Sequence, residues 1–237
     1  MNAKGVKELP SSEHSVFFYG DDAPSSNIQF INQLKDISDT RKMTEDNYSI
    51  GGEVAELESI MAKKLGKEAC VFFPTGTLAN HIAIRQLGLP KTRAIVPEQS
   101  HIYQDSGDSV QQLSGINLVP LGGGDPYFDL PELKEALVNS MNGRVVNPVG
   151  VVVIETPVRR CFGRSMPYEK MLSITEYCKE RDISTHLDGA RLFIASAFTN
   201  VALEKYGALF GNSILRKTSS EIYYAGQSSP WCTFGVL

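Results

Sequence analysis

The chain has 237 residues, 42% of them hydrophobic and 21% charged, with a formal net charge of −4. This is the balance of an ordinary globular protein with a sizeable core. Its mild acidity, without a basic stripe, argues against nucleic acid or an anionic membrane as a partner.

The polar residues 1–12 carry no apolar run and read as no signal peptide. No stretch approaches the roughly 20 apolar residues of a membrane span. Cys70, Cys161, Cys178 and Cys232 form no CxxC pair and have no histidine at ligand spacing. No metal site is expected, and reduced thiols fit a cytoplasmic protein.

Residues 1–50 are polar and irregular and read as an N-terminal arm and extension. From Gly51 the pattern turns helical, with Val54, Leu57, Ile60, Met61 and Leu65 on one side and Gly66 as the stop. Strands are then expected at 69–73, 94–96, 116–121, 150–154 and 183–187. Helices are expected between and after them at 76–87, 103–113, 130–138 and 168–181. Alternation of this kind predicts an α/β domain with a mostly parallel central sheet and flanking helices. The run Val151-Val152-Val153-Ile154 reads as a strand buried on both faces.

Ligands of such sheets sit at the carboxyl ends of the strands, so the residues just after each strand are the candidates. Pro74-Thr75-Gly76-Thr77 opens a helix, and its free N–H groups suit a phosphate; the plain alternative is a turn capped by Thr75 or Thr77. His101 follows the next strand, where an imidazole could lie over a flat ring or simply cap a helix. Asp188 ends a buried strand. It needs a positive partner there, either a protonated ring nitrogen or Arg191; the plain alternative is an Asp188 that caps the next helix and pairs locally. Lys217 follows the short apolar run Ser213-Ile214-Leu215 and could supply an amine, or be an ordinary solvated lysine. Phosphate turn, ring partner, acid and lysine, in that order, are what an aldehyde cofactor requires of its protein.

These stretches resemble a known family. Leu65-Gly66-Lys67-Glu68-Ala69, Phe73-Pro74-Thr75-Gly76-Thr77-Leu78-Ala79-Asn80 and above all His186-Leu187-Asp188-Gly189-Ala190-Arg191-Leu192-Phe193 look like the low-specificity threonine aldolases and related β-eliminating lyases. These belong to the fold type I, aspartate-aminotransferase-like pyridoxal-phosphate enzymes. The resemblance implies pyridoxal 5'-phosphate as cofactor, gripped by Thr75, Gly76 and Thr77 at its phosphate. His101 would stack on the ring, Asp188 would keep its nitrogen protonated, and Arg191 would orient the substrate carboxylate or the phosphate side. His101 is then a candidate base, and Lys217 the amine that holds the aldehyde.

The implied reaction is cleavage of β-hydroxy-α-amino acids, threonine to glycine and acetaldehyde. β-Elimination from another amino acid, or a truncated non-catalytic remnant, are the alternatives. The substrate would be a small amino acid, and family members are homo-oligomers, dimers or tetramers, with the site at a subunit interface.

Residues 51–210 thus read as the pyridoxal-phosphate-binding large domain, and 211–237 as an atypical tail. Tyr206-Gly207-Ala208-Leu209-Phe210 fits the family, but Lys217 stands early against its pattern and nothing after Glu221 matches. The small C-terminal domain, with its substrate-carboxylate arginine, has no counterpart here. The tail is then either altered, as by a frameshift, or a shorter loop that still carries the working lysine.

Overall fold

A computed structural model describes residues 26–40, 44–48, 50–210, 222–224 and 233–236. The chain divides into two compact units, residues 1–41 and 42–237.

The first unit holds helix α1 (Asn27–Thr40). The reading of residues 1–50 as irregular therefore does not hold at 27–40. Ser26 and Gln29 form a reciprocal cap at its start, the hydroxyl accepting from Gln29 N (3.3 Å) and the side-chain amide oxygen accepting from Ser26 N (2.7 Å). Lys35 and Asp39 form an i,i+4 ion pair near its end. Its apolar residues Ile28, Ile31, Leu34 and Ile37 recur every third position and stay exposed, a spacing that weakens the usual 3.6-residue signal.

In the second unit, α2 (Gly52–Leu65) ends on Gly66, whose left-handed φ of 63° lets its N–H reach the carbonyls of Ala62 and Lys63. There follow β1 (Cys70–Phe73), α3 (Gly76–Gly88), β2 (Arg93–Pro97), α4 (His101–Gln104), α5 (Ser109–Ser114), β3 (Asn117–Leu121) and α6 (Leu130–Met141). Next come β4 (Val149–Glu155), α7 (Tyr168–Lys179), β5 (Ser184–Asp188), α8 (Leu192–Thr199) and α9 (Leu203–Leu209). The single helix expected over 103–113 is two short ones. Gly107 and Asp108 between them adopt left-handed φ angles of 62° and 55°, which no continuous helix admits.

The main sheet is parallel throughout, in the order β3-β2-β4-β5. Its central strand β4 is buried along its whole length. Val152 and Ile154 pack on one face with Met171, Ile174 and Cys178 of α7. Val151 and Val153 pack on the other with Ile84 and Leu87 of α3. Two covered faces explain why the sequence is apolar without alternation here. A second, antiparallel sheet runs β1-β7-β6, with β6 (Ile222–Tyr224) and β7 (Thr233–Val236) both within 211–237.

Close backbone contacts fix α9 against the end of α2. A Cβ on Gly207 would collide with the Leu65 carbonyl oxygen. Lys67 Nζ donates to the Phe210 carbonyl at 2.8 Å, and burial lowers this ammonium to about 8. No described helix is long and apolar enough to cross a membrane.

Gly207→Ala is expected to lower stability by about 1–3 kcal/mol, the usual range for overpacking. Urea denaturation should show this as a fall in midpoint with an unchanged slope.

Candidate active site

The site is built at the carboxyl ends of the strands. After β1, Thr75 takes an extended conformation and caps α3, its hydroxyl accepting from Leu78 N at 3.2 Å. The first backbone bond of the helix runs from Ala79 N to Thr75 O. The N–H groups of Gly76 and Thr77 precede it and point out of the helix start, where the helix dipole favours an anion. The capping alternative thus describes the Thr75 side chain, while the backbone beyond it keeps its donors.

After β2, His101 opens α4. Its N–H donates to Glu155 Oε2 at 2.6 Å, and its Nε2 lies 3.2 Å from Thr77 Oγ1. Its Nδ1 stands 3.7 Å from Asp105 Oδ2, and Asp105 is held in turn by Arg159 (3.0 Å) and Arg160 (3.1 Å). One ring nitrogen thus meets Thr77 and the other faces the Asp105 carboxylate without a hydrogen bond, while 36% of the side chain remains exposed.

After β5 comes the buried acid. Asp188 Oδ2 accepts from Asn80 Nδ2 at 2.6 Å, and its Oδ1 from Ala190 N at 3.2 Å. Asn80 Oδ1 faces His186 Nε2 at 2.7 Å. Because the Asn80 amide nitrogen donates to the carboxylate, its oxygen must accept, which puts the His186 proton on Nε2. Burial pushes His186 down to about 3, so this imidazole is neutral. Burial raises Asp188. Asn80, His101, the Ala190 N–H and Arg191 each oppose the rise.

Glu155 ends β4 in register with Asp188. Burial first, then the Asp188 charge, push it up to about 8.

The structure thus brings together Thr75, Gly76, Thr77, His101 and Asp188. Arg191 stands at the start of α8, near enough for its charge to act on both Asp188 and Glu155. Lys217 lies outside the described residues. Four contributors received no role from the sequence: Asn80 and His186 stood only as members of the matching stretches, Glu155 only as part of the segment that follows a strand, and Asp105 not at all. The set can receive a flat heteroaromatic ring, with an anionic arm at the start of α3 and a protonated nitrogen against Asp188.

The family described as beta-eliminating lyase matches residues 38–214. The chain is 31% identical over 166 residues to the low specificity L-threonine aldolase of Saccharomyces cerevisiae, covering 69% of this chain and 42% of that protein. It is 29% identical over 184 residues to the low-specificity L-threonine aldolase of Candida albicans, covering 72% and 48%. Among solved structures, a Listeria monocytogenes protein assigned as an L-allo-threonine aldolase superposes with a TM-score of 0.75 at 29% identity, over 92% of this chain and 56% of that one. The chain spans less than half the length of these two fungal relatives.

Asn80→Ala leaves two buried polar groups without their partner and is expected to lower stability by about 2–4 kcal/mol, read from urea denaturation. In the unsubstituted protein, ring NMR should show His186 as the Nε2–H form, without titration between about pH 5 and 8.

Proposed function

From a chain that belongs to the β-eliminating lyase family, we propose the cofactor-binding part of a pyridoxal-phosphate lyase that cleaves β-hydroxy-α-amino acids, threonine to glycine and acetaldehyde. One observation carries the reading. The buried acid Asp188 and the open N-terminus of α3 are tied together through Asn80, so an acid for a ring nitrogen and donors for a phosphate belong to one rigid unit.

Pyridoxal phosphate fits this donor set. Its phosphate would take the N–H groups of Gly76 and Thr77, with the Thr77 hydroxyl beside them. Its ring nitrogen would take Asp188, whose burial makes a cationic N–H the natural partner. The imidazole of His101 would cover one ring face. When bound, the cofactor supplies an electron sink for the bond that breaks at the amino acid's α-carbon.

The chain's own residues do the rest. Asp188 holds the proton at the ring nitrogen, and Asn80 and His186 fix the carboxylate's orientation. His101 can take a proton from a substrate β-hydroxyl, directly or through a water, while Thr77 and Asp105 set the angle of its ring. Arg191 provides the positive charge that a substrate carboxylate requires at this face. Lys217 is the amine proposed to hold the cofactor aldehyde. The working form is proposed as a homo-oligomer, dimer or tetramer.

The test is threonine cleavage by the purified chain in the presence of pyridoxal phosphate, with acetaldehyde and glycine measured. Asp188→Asn should keep the fold and reduce turnover by about 100-fold or more, and His101→Asn by about 100-fold, the range for a lost acid–base group. Turnover of a different amino acid, with threonine untouched, would move the reading to β-elimination. Cofactor binding without turnover of any amino acid would leave a non-catalytic remnant. Borohydride reduction followed by peptide mapping should place the pyridoxyl group on Lys217.

A further inference from the structure

Glu155 is a buried titratable group to which the proposed reaction gives no task. It closes β4, is 2% exposed, and stands beside Asp188, itself 3% exposed, at the carboxyl ends of two adjacent strands. Its Oε2 accepts the His101 N–H at 2.6 Å. The backbone N–H of Arg159, in the turn after β4, also donates to its carboxyl.

The charged groups that act on it are Asp188 from β5 and Arg191 at the start of α8; His101 of α4 reaches it through the backbone N–H, and the His101 side chain acts on Asp188 instead. The guanidinium groups of Arg159 and Arg160 are occupied by Asp105. Two buried carboxylates therefore share the field of one arginine, and a single proton between them removes their repulsion. A cationic ring nitrogen placed against Asp188 would ionise that acid, and the proton of the pair would then belong to Glu155.

We propose that Glu155 is a positioning residue that works as a neutral carboxylic acid. It ties the first residue of α4 to the sheet, so that His101 is held over the site, and it leaves Asp188 the single ionised acid beside the cofactor ring. The second half of this statement rests on the pyridoxal-phosphate reading; the first half does not.

The sign of the pH effect follows from the raised proton affinity. Burial and the Asp188 charge lift Glu155 to about 8, against about 4.3 in an unfolded chain. The folded state then binds more protons than the unfolded state between these values. Stability contributed by the neutral acid is complete below about pH 4.3 and is lost as pH rises through about 8.

The experiment compares the full chain with Glu155→Gln, which copies the neutral acid but cannot titrate, and Glu155→Asp, which keeps a titratable acid and shortens the tether. Urea midpoints across pH should show a decline for the unsubstituted protein that E155Q largely lacks and E155D retains. E155Q should bind pyridoxal phosphate within about threefold of the unsubstituted protein, a difference well under the 1.4 kcal/mol of a tenfold change. Carboxyl carbon NMR of the unsubstituted protein should show one glutamate titrating near 8, a readout that does not depend on either variant folding.

An E155Q decline as steep as that of the unsubstituted protein overturns the proposal. So does the absence of any glutamate titrating well above the ordinary range. A tenfold or greater loss of cofactor from a well-folded E155Q also overturns it, since the charge would then be required. If the stability and NMR results come out as expected but neither protein takes up pyridoxal phosphate, the neutral tether stands and the cofactor reading fails.

Discussion

Two carboxylic acids end adjacent strands of a parallel sheet in a region that water does not reach, and much of the local architecture is an accommodation of them. Placing an unpaired carboxylate in a protein interior is expensive enough that it takes up a proton or acquires partners. Here both happen. Asp188 collects two hydrogen bonds, one from Asn80 on α3 and one from the backbone at Ala190. Glu155 collects backbone donors from the start of α4 and from the turn after β4. Three loops are anchored by these bonds, so the position of His101 is set through one of the same two acids. Buried acids whose proton affinity is shifted this far are a mark of function.

The sheet makes that concentration possible. β4 is apolar from Val149 to Ile154 and turns acidic only at its last residue, so burial runs without interruption to the pair of acids. α3 and α7 cover opposite faces. A flexible pair of acids would separate and solvate. Fixed on neighbouring strands with a common register, they cannot.

Much of this was legible in the sequence, and the remainder was hidden for identifiable reasons. The strands after which Thr75, His101 and Asp188 stand are short apolar runs with turn residues behind them, and a rule about strand ends was enough to select those residues. Asn80 could not be found in the same way. It sits one turn inside a helix, where an asparagine is unremarkable, and its importance depends on which strand that helix crosses. Asp105, Glu155 and His186 likewise acquire their roles from neighbours distant in sequence, as in the 54-residue separation of His101 and Glu155. The break between α4 and α5 depends on two left-handed residues, only one of which is a glycine. Helix α1 was missed because its apolar residues recur in threes among many polar ones. Lys217, read from its place in the chain order, falls where the structure gives no description.

α3 has a consequence of its own. Its first turn offers the donors at Gly76 and Thr77, and Asn80, three residues beyond Thr77, reaches the acid. These points lie about 4.5 Å apart along a rod that neither stretches nor bends at that scale. Under the proposed cofactor reading the helix would act as a gauge, measuring a guest between its anionic arm and its basic nitrogen at once. A molecule of the wrong length would satisfy one end only, and an inserted or deleted residue between 77 and 80 would rotate one grip away from the other by about 100°. Discrimination among flat phosphorylated rings would then come from the pitch of a single helix, without a dedicated wall to exclude the wrong ones.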